Sequence, residues 1–129
     1  MHGRESAWVM QAAQERLYRI AALAAWPGVA EATSYGTPSL TVGGKFMARL
    51  KDADTLVVRC PLGEKSFLME AAPAVFFETP HYSGYPAVLV RLSAADDETL
   101  RGRLEVAWRM QATKRLIAAY DAPRLSSKG

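Results

Sequence analysis

Apolar residues recur with two different periods along this chain, and the switch between them marks out its elements. From about Ser6 to Ala25 the positions Val9, Ala13, Leu17, Ile20 and Ala24 are spaced 4, 4, 3 and 4 apart, which stacks them on one face of a helix. Gln11, Glu15 and Arg19 fall towards the other side, and Ser6 is a candidate N-cap. Pro27-Gly28 stops the helix, because the residue before a proline is pushed out of the α region. A period of two then takes over. Leu40 and Val42 alternate with polar neighbours, Gly43-Gly44-Lys45 intervenes, and Phe46, Ala48 and Leu50 alternate again. Parity favours a three-residue hairpin loop, Gly43 to Lys45, because that loop gathers all five apolar residues on one face; a two-residue Gly43-Gly44 loop would place Val42 and Phe46 on opposite faces.

Asp52-Ala53-Asp54 reads as a second turn leading into a strand from Thr55 to Cys60, with Leu56, Val58 and Cys60 inward. The outer face of this meander would then carry Met47, Arg49, Lys51, Val57 and Arg59, half apolar and half basic. Glu64 to Ala72 suits a short helix closed by Pro73, Val75 to Phe77 a short strand, and Pro86 to Leu92 a strong one. Between those strands, Thr79 to Tyr85 is a loop by its turn residues.

The last helix opens around Ser93 to Asp97, where Asp96, Asp97 and Glu98 suit the positive end of the helix dipole. Leu100, Leu104, Ala107 and Trp108 form one stripe, but Leu116, Ile117, Ala119 and Tyr120 lie well round the cylinder from it. A straight helix would expose one set. The pattern therefore predicts a break near Ala112-Thr113, with Thr113 capping a short final helix that begins Lys114-Arg115. Taken together, these elements predict an α+β two-layer sandwich: an antiparallel sheet of about five strands with the N- and C-terminal helices packed on one face. Residues 1–123 form one domain and 124–129 an unstructured tail.

Composition changes this picture little. The chain has 129 residues, is 50% hydrophobic and 22% charged, and carries a net charge of +3, an ordinary globular balance that leans basic. No secretory signal or membrane-length apolar run is visible, and a single Cys60 suits a reducing compartment, so the expected location is the cytoplasm.

Candidate chemistry is sparse. Cys60, His2 and His81 lack the spacing of a metal site, and no cofactor or metal is expected. Nucleophilic catalysis would need Cys60 or a serine beside His81 and an orienting acid; a buried structural cysteine and a hydrogen-bonded loop histidine account for both residues more simply, so no catalytic residue and no enzyme activity is expected. Gly43-Gly44-Lys45 superficially resembles a phosphate loop, but strand follows strand here, where that motif requires a helix.

Two sets of residues remain as binding candidates. Lys45, Arg49, Lys51 and Arg59, joined by Lys114 and Arg115, would meet the phosphates of a nucleic acid, or simply form a solvated basic face. Tyr35, His81, Tyr82 and Tyr85 sit beside glycine and proline in two loops, where they could line a common groove for a ligand or cap the core. Trp8, Trp26, Trp108, Phe76 and Phe77 read as core or helix-end packing. Met47 and Val57 would expose an apolar patch suited to a protein contact, so monomer and weak homodimer both stay open.

Several segments carry a family resemblance. Pro27-Gly28-Val29, Ser34-Tyr35-Gly36-Thr37-Pro38 and Gly43 to Leu50 resemble the MmcQ/YjbR family. So do Thr79-Pro80-His81-Tyr82, Gly84 to Leu92, Trp108, Lys114-Arg115-Leu116 and Tyr120-Asp121, so the resemblance runs from about residue 17 to 121. It implies a CyaY-like (bacterial frataxin) fold and DNA as a partner. Members of that family often have proline before the Lys-Arg pair, where this chain has Thr113. Iron binding in frataxin depends on an acidic ridge, whereas this first helix sets Glu15 among Arg16 and Arg19, so the likeness in fold does not bring that function with it.

Overall fold

The computed structural model describes the backbone of residues 2–128 and the side chains of residues 7–123. Helix α1 (His2–Ala24) leads into strands β1 (Val29–Ser34), β2 (Thr37–Val42), β3 (Lys45–Asp52) and β4 (Thr55–Arg59). Helix α2 (Leu62–Ala71), strands β5 (Phe76–Phe77) and β6 (Ala87–Arg91), and helices α3 (Asp97–Gln111) and α4 (Lys114–Lys128) complete the chain. The sheet is antiparallel throughout, in the order β1-β2-β3-β4-β6-β5. It has six strands where the sequence pattern yields five. The additional one, β1, is an edge strand of sequence Val-Ala-Glu-Ala-Thr-Ser with no residue fully buried, so it lacks the apolar alternation by which strands are read.

Helices α1 and α3 pack on the same sheet face, where Leu17, Ile20, Leu104 and Trp108 meet Leu40, Leu50, Leu56 and Val58 in one core cluster. Of the helix stripe expected in α1, Ala13, Leu17, Ile20 and Ala24 are buried, while Val9 is exposed. The helix begins at His2 and not at Ser6, whose side chain lies outside the described residues, and Trp8 faces solvent instead of the core. At the other end Ala25 takes a left-handed φ of 56° and its N–H bonds back to Ala21, which ends the helix.

The β2–β3 hairpin overturns the parity argument. Val42 pairs with Lys45, so the loop is the two residues Gly43 and Gly44, with φ of 58° and 79°. Two successive left-handed residues give the turn whose twist matches that of the strands, and glycine enters that region without penalty. Thr41 then pairs with Phe46 but Leu40 with Ala48, so Met47 is the extra residue of a β-bulge. The bulge does what the three-residue loop was expected to do: it returns Ala48 and Leu50 to the core. Phe46 moves to the outer face and Met47, expected outside, is fully buried in the core.

The break in the C-terminal helix is present. Ala112 has an extended ψ of 151°, and the Thr113 hydroxyl accepts the Leu116 N–H at 3.2 Å, the expected cap. Asp96 caps α3 by accepting from the Thr99 N–H at 2.7 Å. Helix α4 runs to Lys128, and the side chains of 124–129, where the sequence suggests an unstructured tail, lie outside the described residues.

Glu105 fastens α4 to the body. Its carboxylate accepts from Trp26 Nε1 at 3.3 Å, the Tyr120 hydroxyl at 3.3 Å and Arg109 Nε at 3.2 Å, while Arg109 also binds Asp121 at 2.8 and 3.0 Å. Burial pushes the Glu105 carboxyl up, but the hydrogen bonds from Trp26, Arg109 and Tyr120 outweigh it and hold the group below its ordinary value. A carboxylate whose pKa falls on folding stabilises the native state above its unfolded pKa and loses that contribution as pH drops through the folded one. Acid titration of the denaturation midpoint should therefore show a loss setting in below pH 4.5 that is shallower in Glu105→Gln. Equal pH slopes would refute this role.

Candidate functional site: an arginine- and tyrosine-lined cleft

Strand β4 presents Val57 to the face opposite the helices, and β6 presents Ala87 and Leu89 beside it. That face is not bare. The segment between β5 and β6 folds back over it as a single 3₁₀ turn, Pro80–Tyr82, and seats Tyr82 on Val57, Ala87 and Leu89, with Phe46 and Phe77 at the margin. Val57 is consequently buried, and with Met47 in the core the expected apolar docking patch does not exist.

The segment holds its shape through its own backbone and through one buried lysine. Tyr82 N–H bonds to Thr79 O, Tyr85 N–H to Tyr82 O, and Gly84 supplies a left-handed φ of 75°. Lys65 of α2 is 2% exposed, and its ammonium meets Glu78 at 2.7 Å and donates to the carbonyls of Tyr82 at 2.7 Å and Tyr85 at 2.9 Å. Its three protons have three acceptors. Nothing in the sequence marks this residue; a lysine within Gly-Glu-Lys-Ser reads as a solvated helix position.

Between this segment and the β1–β2 turn lies an open cleft of about 600 Å³, lined by Ser34, Tyr35, Phe46, Arg49, Val57, His81, Tyr82 and Tyr85. Tyr35 stands at the tip of the turn, 89% exposed, with a φ of 52° that few side-chain-bearing residues adopt. Arg49 reaches across the floor. Its guanidinium lies 5.1 Å from the Tyr35 ring centroid, donates to the Tyr82 hydroxyl at 3.0 Å and touches Thr37 Oγ1 at 3.5 Å. Arg59 packs over Tyr85 at 5.6 Å, with its Nε buried and, among the described residues, without a hydrogen-bond partner. Among the described residues neither arginine has a carboxylate within ion-pair distance. His81 stands edge-on to Tyr82, ring centroids 4.9 Å apart.

The four loop residues Tyr35, His81, Tyr82 and Tyr85 thus do share one groove, and Arg49 joins them, with Arg59 behind Tyr85. Lys45, Lys51, Lys114 and Arg115 do not line it; all four are exposed. Cys60 and His81 stand apart, since Cys60 is in the core beneath the helices and His81 is on the opposite face. Burial pushes the Cys60 thiol above its ordinary pKa, with Arg103 at 3.3 Å pulling the other way, so it stays protonated at neutral pH. Among the described residues no group of three or more His, Cys, Asp or Glu side chains could hold a metal ion, and no helix is long and apolar enough to cross a membrane.

The sequence profile of the YjbR family matches residues 24–110. The chain belongs to the YjbR family. The matched stretch begins at the end of α1 and stops inside the last turn of α3, so the YjbR portion contains the whole sheet and every residue of the cleft, while Lys114 and Arg115 lie beyond it. Curated proteins similar to this chain include the uncharacterized protein Mb2600 of Mycobacterium bovis and the uncharacterized protein Rv2570 of Mycobacterium tuberculosis, each 47% identical over 60 residues. The aligned segment covers 46% of this chain and 46% of each relative, so it spans about half the length of those proteins. No solved structure matches.

Proposed function

We propose that this YjbR domain is a non-catalytic nucleic-acid-binding module, with DNA as its expected partner and the cleft face as its contact surface. One observation carries the reading: Arg49, among three tyrosines in an open cleft on the sheet, and Arg59, behind one of them, both lack a carboxylate partner among the described residues. Several other arginines are neutralised, as Arg16 is by Asp97 at 2.7 Å and Arg109 by Asp121 at 2.8 Å. Arg91, over Phe77 at 4.4 Å and bonded to the Ala74 carbonyl, shares the lack of a carboxylate among the described residues but stands outside the cleft. A guanidinium held by rings and hydroxyls keeps its charge and spare donors for an anion, and its fork fits phosphate as it does carboxylate. Exposed Lys45 and Lys51 on the same hairpin would add unspecific phosphate contacts. The layering, helices on one face only, is also what a CyaY-like fold would have.

Salt-titrated binding to labelled DNA, single- and double-stranded, tests this. Wild-type affinity should fall steeply with salt, and Arg49→Glu with Arg59→Glu should lower it at least about tenfold and flatten the salt slope by about 1 for each lost phosphate contact. Unchanged affinity in a variant that keeps the wild-type melting temperature would remove the site. A second reading rests on the cleft itself: about 600 Å³ falls within the range of small-ligand pockets, so a compact anionic ligand is its alternative occupant.

A further inference from the structure

We infer that the cleft takes an unpaired nucleobase with its adjoining phosphate, so that the domain prefers single strands to duplex. This rests on the nucleic-acid reading above and narrows it. In a duplex each base is stacked on both sides and presents only edges to the grooves, so a protein reading duplex backbone needs charge but has no use for exposed ring faces. This site is built from ring faces. Tyr35 is 89% exposed, one of its faces is covered by Arg49, and the other is open. Tyr85, 43% exposed, stands across the cleft with Arg59 against it. Between them the floor is formed by Phe46, Val57 and Tyr82, with the Arg49 guanidinium lying across it.

The arrangement of charge agrees. Each arginine lies against a tyrosine, at 5.1 Å for Arg49 and Tyr35 and 5.6 Å for Arg59 and Tyr85, so a base stacked on the ring brings its phosphate within reach of the cation. Aromatic rings on a sheet with flanking cations are how proteins hold single strands, since every base offers a π-face whatever its sequence. Tyr35 also holds its position at some conformational cost. Its φ of 52° belongs to the two-residue turn Tyr35-Gly36, a position that glycine or asparagine fills more readily, so the turn itself does not call for an aromatic residue. With so little of it buried, its ring is met by the Arg49 guanidinium and not by the core, so core packing does not explain the residue.

Fluorescence anisotropy with a labelled twelve-nucleotide oligo(dT), the matching oligo(rU), a twelve-base-pair duplex and competing AMP or dTMP would test this. The single strands should bind more tightly than the duplex. Tyr35→Ala should weaken single-strand binding about tenfold to a hundredfold and duplex binding much less, while Tyr35→Phe should retain both. A mononucleotide that competes at the oligonucleotide's own concentration would assign the base-and-phosphate site to free nucleotide and overturn the strand preference. Duplex binding equal to or tighter than single-strand binding, or no effect of Tyr35→Ala, would overturn the inference and leave the nucleic-acid module standing. Binding to none of the probes would end both. Tyr35 is exposed at a turn, so its variants report on binding without a folding defect.

Discussion

Replacing Trp108 with alanine should cost about 3–5 kcal/mol of stability, the range for deleting a buried large aromatic side chain. Trp108 is fully buried at the junction of three elements. Its ring packs edge-on against Tyr120 of α4 at 5.1 Å, and its Nε1 donates at 2.9 Å to the carbonyl of Pro27 in the connection between α1 and β1. Alanine would open a cavity under α3 and also leave that carbonyl without its donor. The same connection passes close to α4, where Gly28, with φ of 80°, leaves room for Leu116; a Cβ there would stand 2.8 Å from Leu116 Cδ1. Trp108 therefore holds the two ends of the chain to the sheet at once. Set against a typical total of about 5–15 kcal/mol, such a loss would bring the domain near the edge of folding. Denaturant unfolding measures it directly. Trp108→Phe should recover most of the packing but not the hydrogen bond, and remain about 1–3 kcal/mol short. A loss for Trp108→Ala within about 0.5 kcal/mol, as at a surface position, would mean that α4 is held by other contacts.

The elements around Trp108 were legible in the sequence because each rests on a local rule. Leu100, Leu104, Ala107 and Trp108 repeat at helical spacing, and the shift of the stripe to Leu116, Ile117 and Tyr120 requires the break that Thr113 caps. The inward residues of β4, Leu56, Val58 and Cys60, alternate as a half-buried strand must. What escaped is what local rules do not encode. Met47 and Phe46 exchanged faces because a bulge shifts register by one residue, and nothing at Phe46-Met47-Ala48 signals a bulge. Strand β1 is held by pairing with β2 and by the Tyr18 hydroxyl, which lies 3.1 and 3.2 Å from the carbonyls of Ala32 and Ser39, and not by its own apolar content.

The site was half legible for a similar reason. Tyr35, His81, Tyr82 and Tyr85 announce themselves by standing beside glycine and proline in loops, and Arg49 and Arg59 by alternating outward on strands. That these two sets converge depends on the loop from Glu78 to Tyr85 folding over the sheet, which buries Val57 and shifts the basic face from a broad surface to one cleft. Hydrophobic pattern cannot show a loop's direction. The lysine that sets that direction looks in sequence like any solvated one.

Lys65→Met is accordingly expected to be the most damaging single change for the cleft, lowering stability by about 3 kcal/mol and loosening the loop beyond that global loss. Methionine nearly matches the lysine stem in volume, so packing is kept and the effect isolates the ammonium. Its removal leaves Glu78 and the carbonyls of Tyr82 and Tyr85 without the donor that gathers them at 2.7 to 2.9 Å. The magnitude belongs at the lower end for breaking a buried pair because the Glu78 side chain is 30% exposed and can turn to water. Adding Glu78→Gln should restore part of the stability by removing the stranded charge, but not the loop's shape, since the two carbonyls keep only backbone donors and are no longer tied to α2. Hydrogen exchange separates the two effects. The amides of Tyr82 and Tyr85, which bond to Thr79 O and Tyr82 O, should lose protection in Lys65→Met by more than amides of the paired β3 and β4 strands do. Oligonucleotide binding should fall with loop protection and not with the global midpoint, because Tyr82 and Tyr85 reach the cleft only while their backbone is tied to α2. Equal loss of protection in the loop and in β3–β4 would make Lys65 a contributor to the core alone, with no separate part in shaping the site.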